Sequence, residues 1–560
     1  MKYLLSKKRI LLFLFIVQSI FIQNLPAQDV VKIETNVSNN KKELAGEIII
    51  SIDSSDIQTY QALADAYMSI NPKVKVLVEL KKSKGDSAYL NFVRAQFATG
   101  KPRVSIIESP HFRDLAQEGL LVNWAPLLQQ TNPYSGKKWE NSFEKWALDL
   151  VRDPNTGEMF MMPYASVQTM WTYNKRIFKE AGIDNVPKKP SWEEFVSWNE
   201  KIKKAGYIPI AMEGTIDQIW SGGRMPWLLR SVSDQFRRDD LNIIRCQRGD
   251  WCYRDGVDDK WSYNPSDQRN DDPSKVSINI VRHLNALKNG DINFDNKCME
   301  EMLQQVGRVF KTSHGFVPNG WSGMNDAYPL FLTQKAAMRM DHGGIFTRLE
   351  RDIKSLSEGV YKKKKADSKD VIAAKQFEFG TFSFPSIESP CVQGKARANE
   401  LTSGSLAIPK KSKKQNEIEI DFVMFWTSPK GIGIFLENKL DQKNLQGGII
   451  GPPIIKGANL PKKIATQFQN TNFIGNYEKP GAPGDAVARG FFKYKPSVRE
   501  WATMMQMYFN DELTEKQWTR KYQRYLDENF DKIIKYLNIT EEDLLTPEKK
   551  PPGWVAAGPY

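Results

Sequence analysis

The 560-residue chain predicts a layered α/β fold with parallel strands, and three observations predict it. From Gly46 onward, apolar strand patterns alternate with helical ones, the signature of helices packed on a mostly parallel sheet. Stop signals separate them, with Asn71-Pro72 after the first helical stretch and Gly100 after the second. The length also exceeds one domain of about 150 residues, and 41% hydrophobic with 11% aromatic content gives enough material for large cores.

Taken in order, "GEIIISID" (Gly46 to Asp53) is an apolar run that reads as a buried strand. "IQTYQALADAYMSINP" puts Tyr60, Leu63, Ala64 and Tyr67 on one helical face, and "KVKVLVEL" alternates as a strand does. "AYLNFVRAQFATGKP" reads as helix, "RVSIIES" as strand and "HFRDLAQEGLLVNW" as helix. "MFMMPYASVQTMWTYN" is extended and apolar, and its Pro163 marks an edge or crossing strand. Trp171 within it belongs to the core. Lys175 to Ala181 is a helix stopped by Gly182. Ser191 and Glu194 then form a capping box for "WEEFVSWNEKIKKAG". "YIPIAM" is the next strand. Ser231 to Lys275 is polar, charge-rich and without clear periodicity, as an insertion would be. "LFLTQKAAMRMDHGG" reads as helix, turn, strand and a Gly pair, and "LTSGSLAIPKKSKKQNEIEIDFVMFWTSPKG" as strand, basic turn and helix. Pro496 to Asn538 is helical and amphipathic, and no internal repeat is present.

The first 27 residues read as a cleaved export signal: Lys7, Lys8 and Arg9, an apolar run from Ile10 to Ile22, then Leu25-Pro26-Ala27. The run is short for a membrane span, and no cysteine follows it to carry a lipid. The expected product is soluble and periplasmic or extracellular. Without the four basic residues of the signal, 75 Lys and Arg face 66 acids, a net +9. The basic runs, Lys362 to Lys365 and Lys410 to Lys414, lack interleaved aromatics and read as solvated loops, not a nucleic-acid surface. Four cysteines in an exported chain allow disulfides; Cys246–Cys252 is the first expectation, with connectivity open. No Cys-x-x-Cys pair occurs and the four histidines are scattered, so neither a metal nor another cofactor is expected. No Gly-x-Ser-x-Gly elbow, HExxH helix or phosphate loop occurs, which argues against an enzyme.

"MWTYNKRIFKEAGID…PSWEEF" (Met170 to Phe195) resembles the most distinctive block of the family 1 extracellular solute-binding proteins, the maltose-binding-protein-like sugar receptors of ABC importers. "IQTYQALADAYMSINPKVKV", "AAMRMDHGG", "SGSLAIPKKSKKQNEIEIDFVMFWTSPKG" and "YFNDELTEKQWTRKYQRYLDENFDKIIK" are similar to further blocks, in the family's order. The resemblance implies a two-lobed periplasmic-binding-protein fold (type II), with discontinuous lobes joined by crossing strands. Lobe one would be residues 46–158 and 401–461. Lobe two would be 160–399 and 485–545, with 231–275 inserted. A leader (28–45) and a tail (546–560) would flank them. It implies a carbohydrate, an oligosaccharide above all, held between the lobes without chemical change. A monomer would then deliver it to ABC permease subunits. The alternatives are the same fold for a uronate, phosphoester or polyamine and, more remotely, an exported glycan-active enzyme.

A sugar offers C–H faces to aromatic rings and hydroxyl edges to polar groups. Trp220 and Trp227 flank a Gly pair in "QIWSGGRMPWLL" and Trp321 sits in "NGWSGMND", and all three are candidate stacking residues. The resemblance places polar contacts in strand-end loops, on Ser54, Ser55, Glu108 and His111, with Asp53 and Ser109 as neighbours. Asp341 and Gly343 match the family's Asp-Gly turn, but the run here is Asp341-His342-Gly343-Gly344, and Gly344 stands where the family often has a Trp. Pro102-Arg103-Val104 likewise departs from the family's Pro-Asp-Val. Arg224 and Arg339 could pair with an acidic sugar; the expectation for them is a surface salt bridge.

Overall fold

In the computed structural model one strand, Met162–Asn174, joins two halves of a mixed sheet. Described residues are 43–52, 56–80, 86–108, 115–116, 118–153, 156–214, 224–318, 327–357, 376–397, 400–441, 448–468 and 494–552. The export signal and most of the leader lie outside them, as does Lys362 to Lys365. No described helix is long and apolar enough to cross a membrane.

The strands are β1 (Gly46–Ile52), β2 (Val74–Leu80), β3 (Ile106–Glu108), β4 (Met162–Asn174), β5 (Ile208–Ile210), β6 (Ala336–His342), β7 (Phe379–Phe382) and β8 (Glu400–Ala407). They lie in the order β2-β1-β3-β8-β4-β6-β5, with β7 also on β4. β1, β2 and β3 are parallel, as are β5 and β6. β8 is antiparallel to β3 and to the first half of β4, while β6 and β7 are antiparallel to its second half. Pro163 therefore sits in a crossing strand, near its start.

The helices predicted near residues 57–70, 88–99, 175–181, 192–204, 413–426 and 496–538 are present, and others join them. α1 (Ile57–Ile70) buries Tyr60, Leu63, Ala64 and Tyr67 and is capped by Asp56. α2 spans Asp86–Ala98 and α3 Lys175–Glu180, the latter followed by Gly182 at φ +69°. α4 (Trp192–Lys204) starts at the Ser191–Glu194 capping box, worth about 1 kcal/mol. α5 (Arg224–Arg237), α6 (Ile280–Asn289), α7 (Lys297–Phe310) and α8 (Gly344–Ser357) follow. α9 (Lys413–Trp426), α10 (Pro429–Leu440), α11 (Lys462–Phe468), α12 (Lys495–Phe509) and α13 (Glu515–Tyr536) come after them, and shorter helices lie at Lys145–Val151, Leu241–Ile244, Tyr328–Leu332 and Glu541–Leu544.

Each half has its own aromatic core. Beside β1 to β3, Tyr60, Tyr164, Trp426 and Phe435 form a box with centroids 4.9–5.7 Å apart. In the other half the fully buried Trp171 packs on Phe195 and Phe382, as its strand position predicts. The segment 231–275 differs from expectation in one respect. Ser231 lies inside α5, a helix buried around nearly its whole circumference, so its polar residues are buried along with its apolar ones. Its charges are buried as pairs: Arg397 bonds Asp234 and Asp271, and Arg238 bonds Asp234 at 2.6 Å. Burial would raise the Asp234 carboxyl, but Arg238 and Arg397 outweigh it and bring it down to about 2. Cys246–Cys252 and Cys298–Cys391 are disulfides, the second bridging the first turn of α7 to the segment after β7.

Among the described residues, three chain segments cross between the halves: β4, β8 and residues 448–455. The third lies along β4, where Gln168 N–H donates to Ile450 O (3.0 Å) and Ser166 Oγ donates to Pro452 O (2.5 Å). A Cβ on Gly451 would stand 2.6 Å from the Ser166 carbonyl oxygen, and one on Gly404 of β8 would stand 2.5 Å from the Tyr164 ring. Backbone cannot yield as a side-chain tip can. Gly451→Val is therefore expected to cost about 1–3 kcal/mol, seen as a lower urea midpoint. Gly433→Ala, at a helical glycine with open space around it, is expected to gain up to about 1 kcal/mol. Equal midpoints for the two variants would contradict the crossing geometry.

Candidate functional site

Register places the site. β3 runs in the same direction as β4 and ends at Glu108, level with Leu406 of β8 and through it with Met162 of β4. β6 runs the opposite way and ends at His342, level with Thr169 of β4. The carboxyl ends of the two parallel sets thus face each other across residues 162–169, about 23 Å of strand at about 3.3 Å per residue. Carboxyl ends of strands in open α/β sheets are where ligands bind, because the chain loops there without closing the crevice.

On the β3 side, Glu108 is half-buried and accepts a hydrogen bond from Tyr164 Oη. Tyr60 Oη lies 3.2 Å from Tyr164 Oη. Burial, then the Glu108 charge, pushes both phenols well above their ordinary range, so they act as donors. Tyr164 is on β4, so the carboxylate proposed from the strand end is gripped by the crossing strand.

On the β6 side four charged groups form a closed set. Arg224 donates to Asp341 Oδ2 (2.7 Å) and lies 3.4 Å from Glu213 Oε2. Arg339 donates to Asp341 Oδ2 (3.0 Å) and Glu213 Oε1 (2.9 Å). Asp341 and Glu213 side chains are 5% exposed, Arg339 2% and Arg224 21%. The surface salt bridge expected for the two arginines is thereby corrected. Arg339 lies on a strand whose residues 336–341 are all buried, and a guanidinium there must meet carboxylates. Burial would raise the Asp341 carboxyl, but Arg339 and then Arg224 overcome it and hold it well below the usual range.

Next along β6, His342 Nδ1 accepts from Gly344 N–H (3.0 Å), and its ring meets the edge of the half-buried Trp227 at a centroid distance of 6.1 Å. Desolvation lowers the His342 pKa against the pull of Asp341, with Arg224 and Arg339 lowering it further. Gly343 is a point of close approach: its N–H donates to Gln168 O and Ile450 O, and a Cβ would stand 2.5 Å from the Phe468 ring.

Of the sequence-derived candidates, the structure brings Trp227, Asp341 and Gly343 together on the β6 side and places Glu108 on the other. Ser54, Ser55, His111, Trp220 and Trp321, with Asp53 and Ser109, lie outside the described residues. Glu213, Tyr164, Tyr60 and His342 were not among the candidates. Glu213 follows β5 as Glu108 closes β3, so the strand-end rule applied to both halves finds it. Among the described residues, Cys246, Asp250 and Cys252 converge as metal ligands would, but the sulfurs are bonded to each other and Asp250 pairs with Arg282 at 2.6 Å.

Removing Arg339 leaves two buried carboxylates on one cation. Arg339→Met is expected to cost about 3–5 kcal/mol in chemical unfolding. The Asp341 carboxyl is depressed in the fold, so its stabilisation is present above about pH 4, the unfolded value, and is lost as pH falls below it. Asp341→Asn is expected to lose less stability than the wild type between pH 4 and pH 2. Parallel pH profiles would show that the quartet does not set the acid limb.

Residues 53–234 match the model of the bacterial extracellular solute-binding protein family. No curated protein matches the sequence. Among solved structures, the chain is similar to a family 1 extracellular solute-binding protein from Bifidobacterium longum subsp. infantis (15% identity, 86% of this chain and 98% of that one, TM-score 0.52). It is similar to a chitin oligosaccharide binding protein (15%, 87% and 99%, 0.52) and to apo RafE from Streptococcus pneumoniae (12%, 87% and 99%, 0.53). At these identities the structures speak for the fold. The chain thus has the two-lobed mixed α/β fold of these proteins, and the family match over residues 53–234 shows the resemblance to family 1 extracellular solute-binding proteins.

Proposed function

We propose that this chain is an exported receptor that captures a carbohydrate, an oligosaccharide above all, between its lobes and presents it unaltered to an ABC importer. The observation that carries the reading is the facing arrangement of strand ends, Glu108 on one side and the Glu213–Arg224–Arg339–Asp341 set on the other, across one shared strand. Such a crevice closes on its guest from two sides. The matched family is one of extracellular binding proteins, and among similar structures are a chitin oligosaccharide binding protein and RafE in complex with raffinose. The proposed lobes are residues 46–158 with 401–461, and 160–399 with 485–545. The proposed contacts are Glu108, Trp227, Asp341 and Gly343, with Ser54, Ser55, His111, Trp220 and Trp321 as further candidates. An acidic ligand is the second reading, and the internal pairing of both arginines weighs against it. The mechanism is a population shift: a ligand touching both lobes only when they are closed favours closure by its extra contacts.

A saturating neutral oligosaccharide is expected to lower the radius of gyration in solution scattering, with the sugar recovered intact. Replacing Trp220 and Trp321 together by Ala should weaken binding by about 1–3 kcal/mol in calorimetry. Tight binding with no compaction, or recovery of a cleaved sugar, would exclude this mechanism.

A further inference from the structure

Gly344 stands where the resemblance predicts an aromatic platform, and the structure supplies a physical reason. A Cβ on residue 344 would lie 2.7 Å from His342 Cε1 and 2.9 Å from Nδ1. The imidazole already fills the volume in which any side chain at 344 would begin. Its orientation is fixed on one side by Gly344 N–H donating to Nδ1 and flanked on another by Trp227. With Nδ1 accepting, the proton of the neutral ring resides on Nε2. Nε2 lies 3.9 Å from Asp341 Oδ1, beyond hydrogen-bond reach, and the side chain is 37% exposed at the carboxyl end of β6.

We propose that His342 is the ligand-contact residue of this wall, donating Nε2–H to an acceptor oxygen of the sugar while the Trp227 ring borders the same face. The proposal rests on the carbohydrate-receptor reading and assigns within it a residue that the family's pattern does not supply. The charged groups facing His342 are Asp341 and Arg339 on its own strand and Arg224 on α5, with Glu213 after β5 joined to them through both arginines. The two carboxylates and two guanidiniums cancel, so the neutral ring sits on a neutral floor. Protonation would take Nδ1 away from Gly344 N–H and add a cation beside two guanidiniums. Binding of an uncharged sugar should therefore weaken as pH falls.

The test uses the full exported chain and a panel of chitooligosaccharides, maltooligosaccharides and raffinose, screened by thermal shift and measured by calorimetry. For the tightest member, His342→Ala is expected to lower affinity at least tenfold at pH 7.5 with the unliganded melting temperature little changed. His342→Gln, which keeps a donor, should stay within about threefold. From pH 7.5 to pH 4.5 the wild type is expected to lose affinity several-fold, the loss setting in below the ordinary imidazole value of about 6.5 because the ring's pKa is lowered, and His342→Gln is expected to stay flat. Unchanged affinity in His342→Ala, or the same pH profile in wild type and His342→Gln, would overturn the assignment and leave the receptor reading standing. If His342→Ala unfolds, the pH comparison of wild type with His342→Gln decides alone. No binding by any panel member to the wild type would remove the carbohydrate reading and this inference with it.

Discussion

The fold hangs on β4 serving two sheets at once. Its first half pairs with β8 and its second with β6 and β7, so its register sets both halves. A one-residue slip would turn every side chain of a strand to the opposite face. Here it would withdraw Tyr164 from Glu108 and Trp171 from its aromatic core together. The strand is consequently buried along almost its whole length, and its polar residues, Ser166, Gln168, Thr169 and Thr172, are buried with it. Such a strand can neither be edge nor drift. It fixes how far apart the two sets of strand ends begin, and so the span a guest must bridge.

The charged quartet follows from that geometry and adds a cost of its own. Burying two guanidiniums and two carboxylates is expensive unless every charge meets its opposite. A hydrophobic replacement could match it for stability alone. What the ionic set provides is direction: Arg339 ties β6 to the loop after β5, and Arg224 ties both to the first turn of α5. Two stretches more than a hundred positions apart, 213–224 and 336–342, are thereby held at one strand end. The Asp234–Arg397–Arg238 set does the same for the segment behind it, joining α5 to the segment after β7.

Much of the fold was legible in the sequence because its signals are local. The alternation of periods, the Ser191–Glu194 box and Gly182 each act within a turn or two, and the strands and helices they predict at β1, β2, α1, α3 and α4 are present, whereas only residues 115–116 of the stretch from His111 to Trp124 are described as helical. The site was legible only in part because its partnerships are distant: Glu213 meets Arg339 across 126 positions and Tyr164 meets Glu108 across 56. Charge alone misled at Arg339, read as a surface residue. Its setting, an Arg inside the apolar run "AAMRM", was the better guide, since a fully buried strand leaves no route to solvent. The polar stretch from Ser231 misled in the same way, its charges being neutralised internally instead of by water.

The crossing also decides how the halves can move. A regular ladder between β4 and β8 would resist bending, because every backbone bond would strain together. The pairing instead shifts register twice, between Thr402 and Gly404 and between Gly404 and Ser405. A bulge of this kind breaks the ladder locally and lets one strand turn against its neighbour. It lies opposite Ala165, within the 162–169 stretch that separates the two sets of strand ends. A bend there would change the separation of Glu108 and His342. Tyr164 packs against Gly404 at that same point, so the residue that bonds Glu108 also lines the bulge, and a substitution at Gly404 would press on the phenol that holds the carboxylate.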